Sequence, residues 1–375
     1  MKTILHISKY YSPFIGGIET VAKQLVSSLD GYQNVVICFS NDRQTHYDTV
    51  DGVQVIRVGV CASISSQDIA PAYYKHLKNI IKSIQPDLVH IHCPNPYIYP
   101  ILLWLLPKRT KLVVHWHSDI LGKGMLYHLI APFERLLLKR ADLILTTSPN
   151  YAPYSHALLP FKHKISILPN VITPDRFTLQ PTDDAAIQHI REQWQGKTLL
   201  LFCGRHVAYK GVEHLIEAEQ WMQPNIQILI AGTGPLTSEY QDLAKDCKRI
   251  TFLGKLSNDE LRCYLHAADL FAFPSINKAE AFGVVLAEAM YCRCVPIVFH
   301  IEGSGVNWVN INKETGLEVP IGYAQEYAKA VNLLSTDDNL RQQMATAAHR
   351  RISDLFTISS FNQQINYIYN RLFSK

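Results

Sequence analysis

The chain has 375 residues, 47% of them apolar and 18% charged. That length suits two domains, and the composition is globular, which excludes a disordered chain. The net charge of +4 is unevenly placed: residues 1–180 hold 18 Lys and Arg against 11 Asp and Glu, the remainder 18 against 21. Ten of the 16 histidines also fall in the first stretch. A basic half beside an acidic half points to different partners. No aromatic–basic nucleic-acid motif accompanies the charge, so an anionic small molecule or membrane surface is expected and nucleic acid is not.

The strongest apolar run, residues 101–106, lies between Pro100 and Pro107. A membrane span needs about 20 residues, so none is expected. The opening MKTILHISKYYSPF has a short apolar core, whereas a secretory segment needs about 7–15 residues, so a cytoplasmic protein is expected. Eight cysteines are irregularly spaced without a C-x-x-C. They read as buried thiols in a reducing compartment.

Short apolar runs alternate with amphipathic stretches. Strands are predicted at 3–7, 34–40, 53–59, 87–92, 111–117, 142–148 and 164–169, and helices at 18–29 and 69–84. Residues 170–196 read as a Pro-rich linker and a helix. A second series of strands follows at 198–204, 226–232, 249–254, 269–274, 294–299 and 316–320, and residues 321–374 read as helix throughout. Near-continuous apolar strands separated by helices mean parallel sheets covered on both faces. The fold class is therefore α/β, with two doubly wound domains facing across a cleft. The domains are drawn at 1–170 and 171–357. Ligands of such sheets bind beyond the carboxyl ends of the strands, so functional residues should follow strands.

Several segments do. PFIGGIE (13–19) opens a helix after the first strand; Gly16 and Gly17 would let backbone approach a phosphate, and a tight turn is the alternative. GRHVAYKG (204–211) sets Arg205 and Lys210 at the mouth of a helix, a pattern suited to a diphosphate. GTGP (232–235) lacks the third glycine of a dinucleotide fingerprint and reads as a turn. In PSINKAEAFGVVLAEAM (274–290), Glu280 precedes a helix opened near Gly283 and Glu288 lies inside it. A glutamate in so apolar a run needs partners if buried, and two ribose hydroxyls would serve. A surface position on an amphipathic helix is the alternative. The backbone N–H groups of 282–284 are free to hold an oxygen.

His90, His92, His115 and His117 form two His-x-His pairs, each on one strand face. A metal site would require the pairs on adjacent strands at matched height, and no acidic second shell accompanies them. His90 and His115 read as core or rim histidines. His117 precedes Ser118 and Asp119 at the strand end, which places it at the cleft. Residues 123–140 are basic and apolar, with Pro132 expected to break or kink the helix. With Lys108, Arg109 and Lys111 they suit either contact with anionic lipid or ordinary helix packing.

GGIE, HWHSD, LPNVI, GR-x4-KG, AGTGPL and EAFGVVLAE occur in the order found in the retaining glycosyltransferases of family 4, which nearly the whole chain resembles. Within that family HWHSDI and HCPNPY resemble bacterial enzymes of O-antigen or capsule polysaccharide synthesis. The resemblance implies a GT-B fold with a C-terminal helix, 358–375, returning to the first domain. It implies transfer of a hexose from a nucleotide-diphosphate sugar with retention, without metal or other cofactor. It casts Arg205 and Lys210 as clamp for the leaving diphosphate, and Gly16 and Gly17 as the approach of the first domain to the donor. Glu288 would bind ribose, and Gly254, Lys255 and Leu256 would border the base. Glu280, Ala281, Phe282, Gly283 and Val284 would hold the donor sugar, with His117 beside the reacting centre. Glu19 and Asp119 are the acidic residues available on the acceptor side. The resemblance also implies a front-face mechanism, in which the leaving phosphate takes the acceptor's proton. The HWHSD stretch favours GDP-mannose, with UDP-hexoses open. The acceptor implied is a glycan or lipid-diphosphate-linked glycan at the cytoplasmic membrane face. The alternatives are a nucleotide-sugar epimerase on the same fold, a non-catalytic nucleotide- or glycan-binding protein and, more distantly, a nicotinamide dehydrogenase.

Overall fold

A computed structural model describes residues 1–14, 16–64, 67–120 and 124–374. Its contacts divide the chain into two units, residues 1–170 with 361–375, and residues 171–360.

The first unit is built on β1 (Thr3–Ile7), β2 (Gln33–Phe39), β3 (His46–Val50), β4 (Val53–Val58), a separate hairpin β5 (Ala62–Ile64) and β6 (Gln67–Ile69), then β7 (Leu88–Cys93), β8 (Lys111–Trp116), β9 (Leu143–Thr146) and β10 (Ile165–Ile167). Eight of these form one sheet in the order β10-β9-β8-β7-β1-β2-β4-β3. All pair in parallel except β3, which runs antiparallel along β4. β1, β7 and β8 are buried almost end to end, as parallel strands covered on both faces must be. The covering helices are α1 (Gly17–Ser27), α2 (Ala72–Ile84), α3 (Ile98–Leu105) and α4 (Gly124–Arg140).

Three differences from the sequence reading have local causes. β3 was not foreseen. It is an edge strand with alternating exposure, closed on β4 by Asp51 and Gly52, both at positive φ (51° and 81°). The helix expected from residue 69 begins at Ala72, because residues 67–69 pair in the hairpin. α4 continues through Pro132 instead of ending there. Among the cysteines Cys61 is exposed, not buried, while Cys38, Cys93, Cys263, Cys292 and Cys294 are buried as expected.

The second unit carries β11 (Thr198–Cys203), β12 (Ile226–Ala231), β13 (Ile250–Gly254), β14 (Leu270–Phe273), β15 (Val295–Phe299) and β16 (Leu317–Val319). All are parallel, in the order β13-β12-β11-β14-β15-β16. Chain order reverses between β11 and β14, so the crevice beyond their carboxyl ends is the expected ligand position. α5 (Asp183–Gln193), α6 (Val212–Ala218), α7 (Thr237–Leu243), α8 (Asn258–Ala267), α9 (Val284–Tyr291), α10 (Val306–Val309), α11 (Ala324–Thr336) and α12 (Asp338–Leu355) surround the sheet. Two apolar clusters, one holding Leu199, Leu201 and Phe271 and the other Leu200, Phe202 and Leu270, cover its two faces.

The tail is three helices, not one. Asp337 stops α11 and caps α12, accepting from the Leu340 N–H at 2.9 Å. Phe356 leaves helical geometry to enter the core, and Thr357 bridges to Ile172. The last helix, α13 (Ile358–Phe373), buries Phe361, Ile365, Tyr369 and Leu372, a stripe at helical spacing. In the first unit Gln364 donates to the Ile167 carbonyl at 2.7 Å and Asn366 to that of Ser28 at 3.1 Å.

Candidate active site

The loops after β11 and β14 are pressed together by glycine. Gly211 has φ +63°, and a Cβ there would stand 2.1 Å from the Pro274 carbonyl oxygen. The Ile276 N–H donates to the Tyr209 carbonyl at 2.9 Å across the same approach. This closeness brings buried Lys210 to the partly buried Glu280, and the two form an ion pair. The Lys210 ammonium is desolvated, but Glu280 and Tyr209 hold its pKa above the ordinary lysine value. Ser275 adds a hydrogen bond to the Glu280 carboxylate at 3.3 Å. The Ser304 hydroxyl donates to the Glu280 carbonyl, and the Gly305 N–H donates to that of Ala281 at 3.1 Å. Arg205 stands exposed on the same loop as Lys210.

The GTGP turn has a structural task. A Cβ on Gly232 would lie 1.9 Å from the Gly204 carbonyl oxygen, and one on Gly234 would lie 2.4 Å from that of His206. Only glycine lets this turn seat the Arg205 loop, which is further tied by His206 N to Thr233 O at 3.2 Å.

Gly283 caps α9 in the left-handed region (φ +84°). The Phe282 ring is buried against Trp308 and Phe356, so only its backbone is available to a ligand. Glu288 is 7% exposed on α9, not a surface residue. Burial raises its pKa from 4.5 to about 7, with Arg176 pulling the other way from 3.4 Å. Arg176 also donates to Asn258 at 3.0 Å, at the start of α8. Gly254 ends β13 at φ +69° and its carbonyl accepts from Gly232 at 2.7 Å. Lys255 is exposed beside it, and Leu256 packs partly into the core.

In the first unit Gly16 precedes α1, whose first turn buries Glu19. The Glu19 carboxylate folds back so closely that a Cβ on Gly16 would meet it at 2.1 Å, while Gly17 is open. Burial raises the Glu19 pKa and Lys9 opposes that. Asp119 Oδ1 accepts from Trp116 at 3.0 Å and Ser155 at 2.6 Å, anchoring the end of β8. His117 is buried, its Nε2 2.9 Å from His92 Nδ1 and its N–H bonded to the Cys93 carbonyl at 2.9 Å. Burial lowers its pKa to about 3, so at neutral pH it is an uncharged hydrogen-bonding group.

Four features escaped the sequence reading. The Lys210–Glu280 pair joins residues 70 apart. Arg176 lay in a segment read as linker. His92 orients His117 from the neighbouring strand. A cavity of about 510 Å³ is lined by Tyr10, Phe14, His46, Asp48 and Arg57 among others. Its Tyr10 and Phe14 rings stack at 4.3 Å, and Arg57 binds Asp48 at 2.6 Å. β3 supplies two of its polar residues, so missing the strand meant missing the cavity.

Two family models match the chain in tandem: Glycosyltransferase Family 4 over residues 15–176, and Glycosyl transferases group 1 over residues 184–351. The chain belongs to glycosyltransferase family 4. It is an enzyme of the glycosyltransferase class with a GT-B fold. It is 29% identical over 360 residues to a D-rhamnosyltransferase, WbpZ, of Pseudomonas aeruginosa, covering 94% of this chain and 92% of that one. It is 28% identical over 360 residues to the O-antigen chain mannosyltransferase C of Escherichia coli, covering 94% of each. The solved structure of HepE from Anabaena in complex with UDP is 20% identical, with a TM-score of 0.77 over 99% of this chain and 100% of that one.

Proposed function

We propose that this glycosyltransferase moves a hexose, with GDP-mannose as donor, onto a glycan or lipid-diphosphate-linked acceptor in cell-surface polysaccharide synthesis, with retention and without a metal in the transfer step. The observation that supports the donor side is the Lys210–Glu280 ion pair, with Arg205 exposed on the loop after β11 and Glu288 buried on α9. Two fixed cations neutralise a leaving diphosphate, the charge that develops in the transition state. Lys210 is preorganised by Glu280, so little reorganisation accompanies its action. Glu280 and the N–H groups at the start of α9 take the sugar hydroxyls. Glu288, as carboxylate, accepts from the ribose hydroxyls. Gly254, Lys255 and Leu256 border the base. To Gly16 and Gly17 of the first unit we assign contact with the phosphates, and to neutral His117 a hydrogen bond to the sugar. The leaving phosphate takes the acceptor's proton, so no protein base is required. The mannosyl- and rhamnosyltransferase relatives support the choice of donor sugar.

The stacked pair Tyr10–Phe14 with His46, Asp48 and Arg57 suits an acceptor sugar, whose apolar face stacks while its hydroxyls find polar partners. Glu19 is turned to Gly16 and Asp119 is engaged in anchoring, so this cavity serves the acceptor better than those two carboxylates. Among the described residues no helix is long and apolar enough to cross a membrane. α3 and α4 pack together and expose Trp104 (81%) and Leu129 (70%), with Phe133 and Leu136 nearby in sequence. Lys108, Arg109, Arg135 and Lys139 are exposed on the same segments, whereas Glu134, the acidic residue of α4, is buried against Tyr127. Lys123 lies outside the described residues. Apolar anchors flanked by cations suit a peripheral contact with anionic lipid.

The test is transfer from labelled GDP-mannose into lipid-linked glycan in the presence of EDTA, with the product's anomeric configuration read by NMR. An α-linked product with activity unchanged by EDTA supports the proposal. Label released only to water, or an isomerised donor without acceptor, rejects it.

A further inference from the structure

The histidine pairs lie on adjacent strands, β7 and β8, staggered by two residues, and meet in height at His92 and His115. His6 is in register with His90 on the other side of β7. Residues in register, and residues two apart on a strand, share a face, so His6, His90, His92 and His115 lie on one face of the first sheet. We propose that His90, His92 and His115 form a binding site for a divalent transition-metal ion of the zinc class, separate from the donor site.

Three observations carry this. One ring nitrogen from each of the three residues can be chosen so that all lie within 4.8 Å of one another, and all three side chains are buried. His90 Nε2 and His115 Nδ1 are 3.3 Å apart, and two nitrogens bound at about 2.0–2.1 Å to a tetrahedral ion stand about 3.3–3.4 Å apart. His92 Nε2 is buried with no hydrogen-bond partner. Buried polar atoms are normally satisfied, and a core needing only bulk would use apolar side chains here.

The donor set agrees in kind. Three uncharged imidazoles suit zinc, cobalt, nickel or copper, not calcium or magnesium, which take oxygen. Burial, and then the neighbouring histidines, hold all three rings neutral, the form that binds metal. The outer contact is supplied by α13, whose Tyr369 hydroxyl hydrogen-bonds His90 Nδ1. With the Tyr369 oxygen accepting, the ring proton lies on Nδ1 and Nε2 is left for the ion. An ion on His92 Nε2 puts the His92 proton on Nδ1, facing His117 Nε2. The His117 proton then sits on its own Nδ1. The site would thereby set the tautomer of His117 without touching substrate.

The inference does not depend on the transfer reaction, because its test reads metal binding directly. Full-length, tag-free protein is stripped with chelator, desalted and titrated with cobalt(II), then with zinc. Expected are one equivalent of cobalt with the visible absorption of a four- or five-coordinate nitrogen site, its displacement by zinc, and a metal-dependent rise in melting temperature. His92→Gln and His115→Gln, each checked for native circular dichroism, should weaken binding about 100-fold or more. Should either variant fail to fold, the cobalt spectrum of the wild-type protein still decides. Absence of saturable cobalt and zinc binding by the wild type overturns the proposal. So do folded variants that bind as tightly as the wild type.

Discussion

Replacing Glu288 by Gln should stabilise the ligand-free protein while weakening its hold on nucleotide. The folded-state pKa of Glu288 is about 7 against 4.5 for a free carboxyl, and burial is the main cause. A raised carboxyl pKa means the folded state disfavours the ionised form. Stability is therefore intact below the unfolded pKa and is lost as pH rises toward the folded one. At pH 8 that loss amounts to about 3 kcal/mol, and at pH 5 to less than about 1 kcal/mol. Glutamine cannot ionise, so Glu288→Gln should exceed the wild type by about 3 kcal/mol at pH 8 and by little at pH 5. For a unit of this size each kcal/mol moves the melting temperature by about 2–4 °C. The assay is thermal melting of both proteins at the two pH values without ligand. GDP binding should fall about tenfold or more in the variant, because a carboxylate accepting charge-assisted bonds is lost. For the same reason wild-type affinity should decline as pH drops below about 7. A stability difference equal at both pH values would show that burial does not hold Glu288 against ionisation.

Lys210→Ala leaves the partly buried Glu280 without its cation and should lower stability by about 1–3 kcal/mol. The Lys210→Ala/Glu280→Ala double variant should recover part of that in denaturant melts while remaining inactive. Additive losses would contradict a coupled pair. Tyr10→Ala should raise KM for acceptor without changing GDP affinity by calorimetry, and an unchanged acceptor KM would remove the cavity from the acceptor site. Trp104→Glu with Leu129→Glu should abolish co-sedimentation with anionic vesicles while transfer to a soluble acceptor persists. Retained co-sedimentation would exclude the α3–α4 surface as the contact.

The alternation of strands and helices was legible because fully buried parallel strands leave long apolar runs. Strand ends fall within a few residues of those expected, and the candidate donor-site residues Arg205, Lys210 and Glu280 follow them. What escaped was produced by pairing or packing. The edge strand β3 is only half apolar, and its one clear signal was Asp51-Gly52, a dipeptide suited to a tight hairpin. The breaks in the tail depend on an Asp337 side-chain cap and on Phe356 leaving helical geometry to enter the core, against a background of good helix formers. Glu280 and Lys210 were each identified, but their ion pair depends on Gly211 meeting the Pro274 carbonyl. Arg176 was invisible because nothing near it in sequence needs a cation; its partner is 112 residues away. The histidine pairs showed a shared face in sequence, while their register across β7 and β8 came only with the fold.

Calorimetric titration with GDP, UDP and ADP in the presence of EDTA reads the donor site itself. Saturable GDP binding by the wild type is expected, with affinity reduced about tenfold or more in Arg205→Ala and in Glu288→Gln. Equal affinity of the wild type and both variants for every nucleotide, or no binding by the folded wild type, would contradict the strand-end cluster as the donor site.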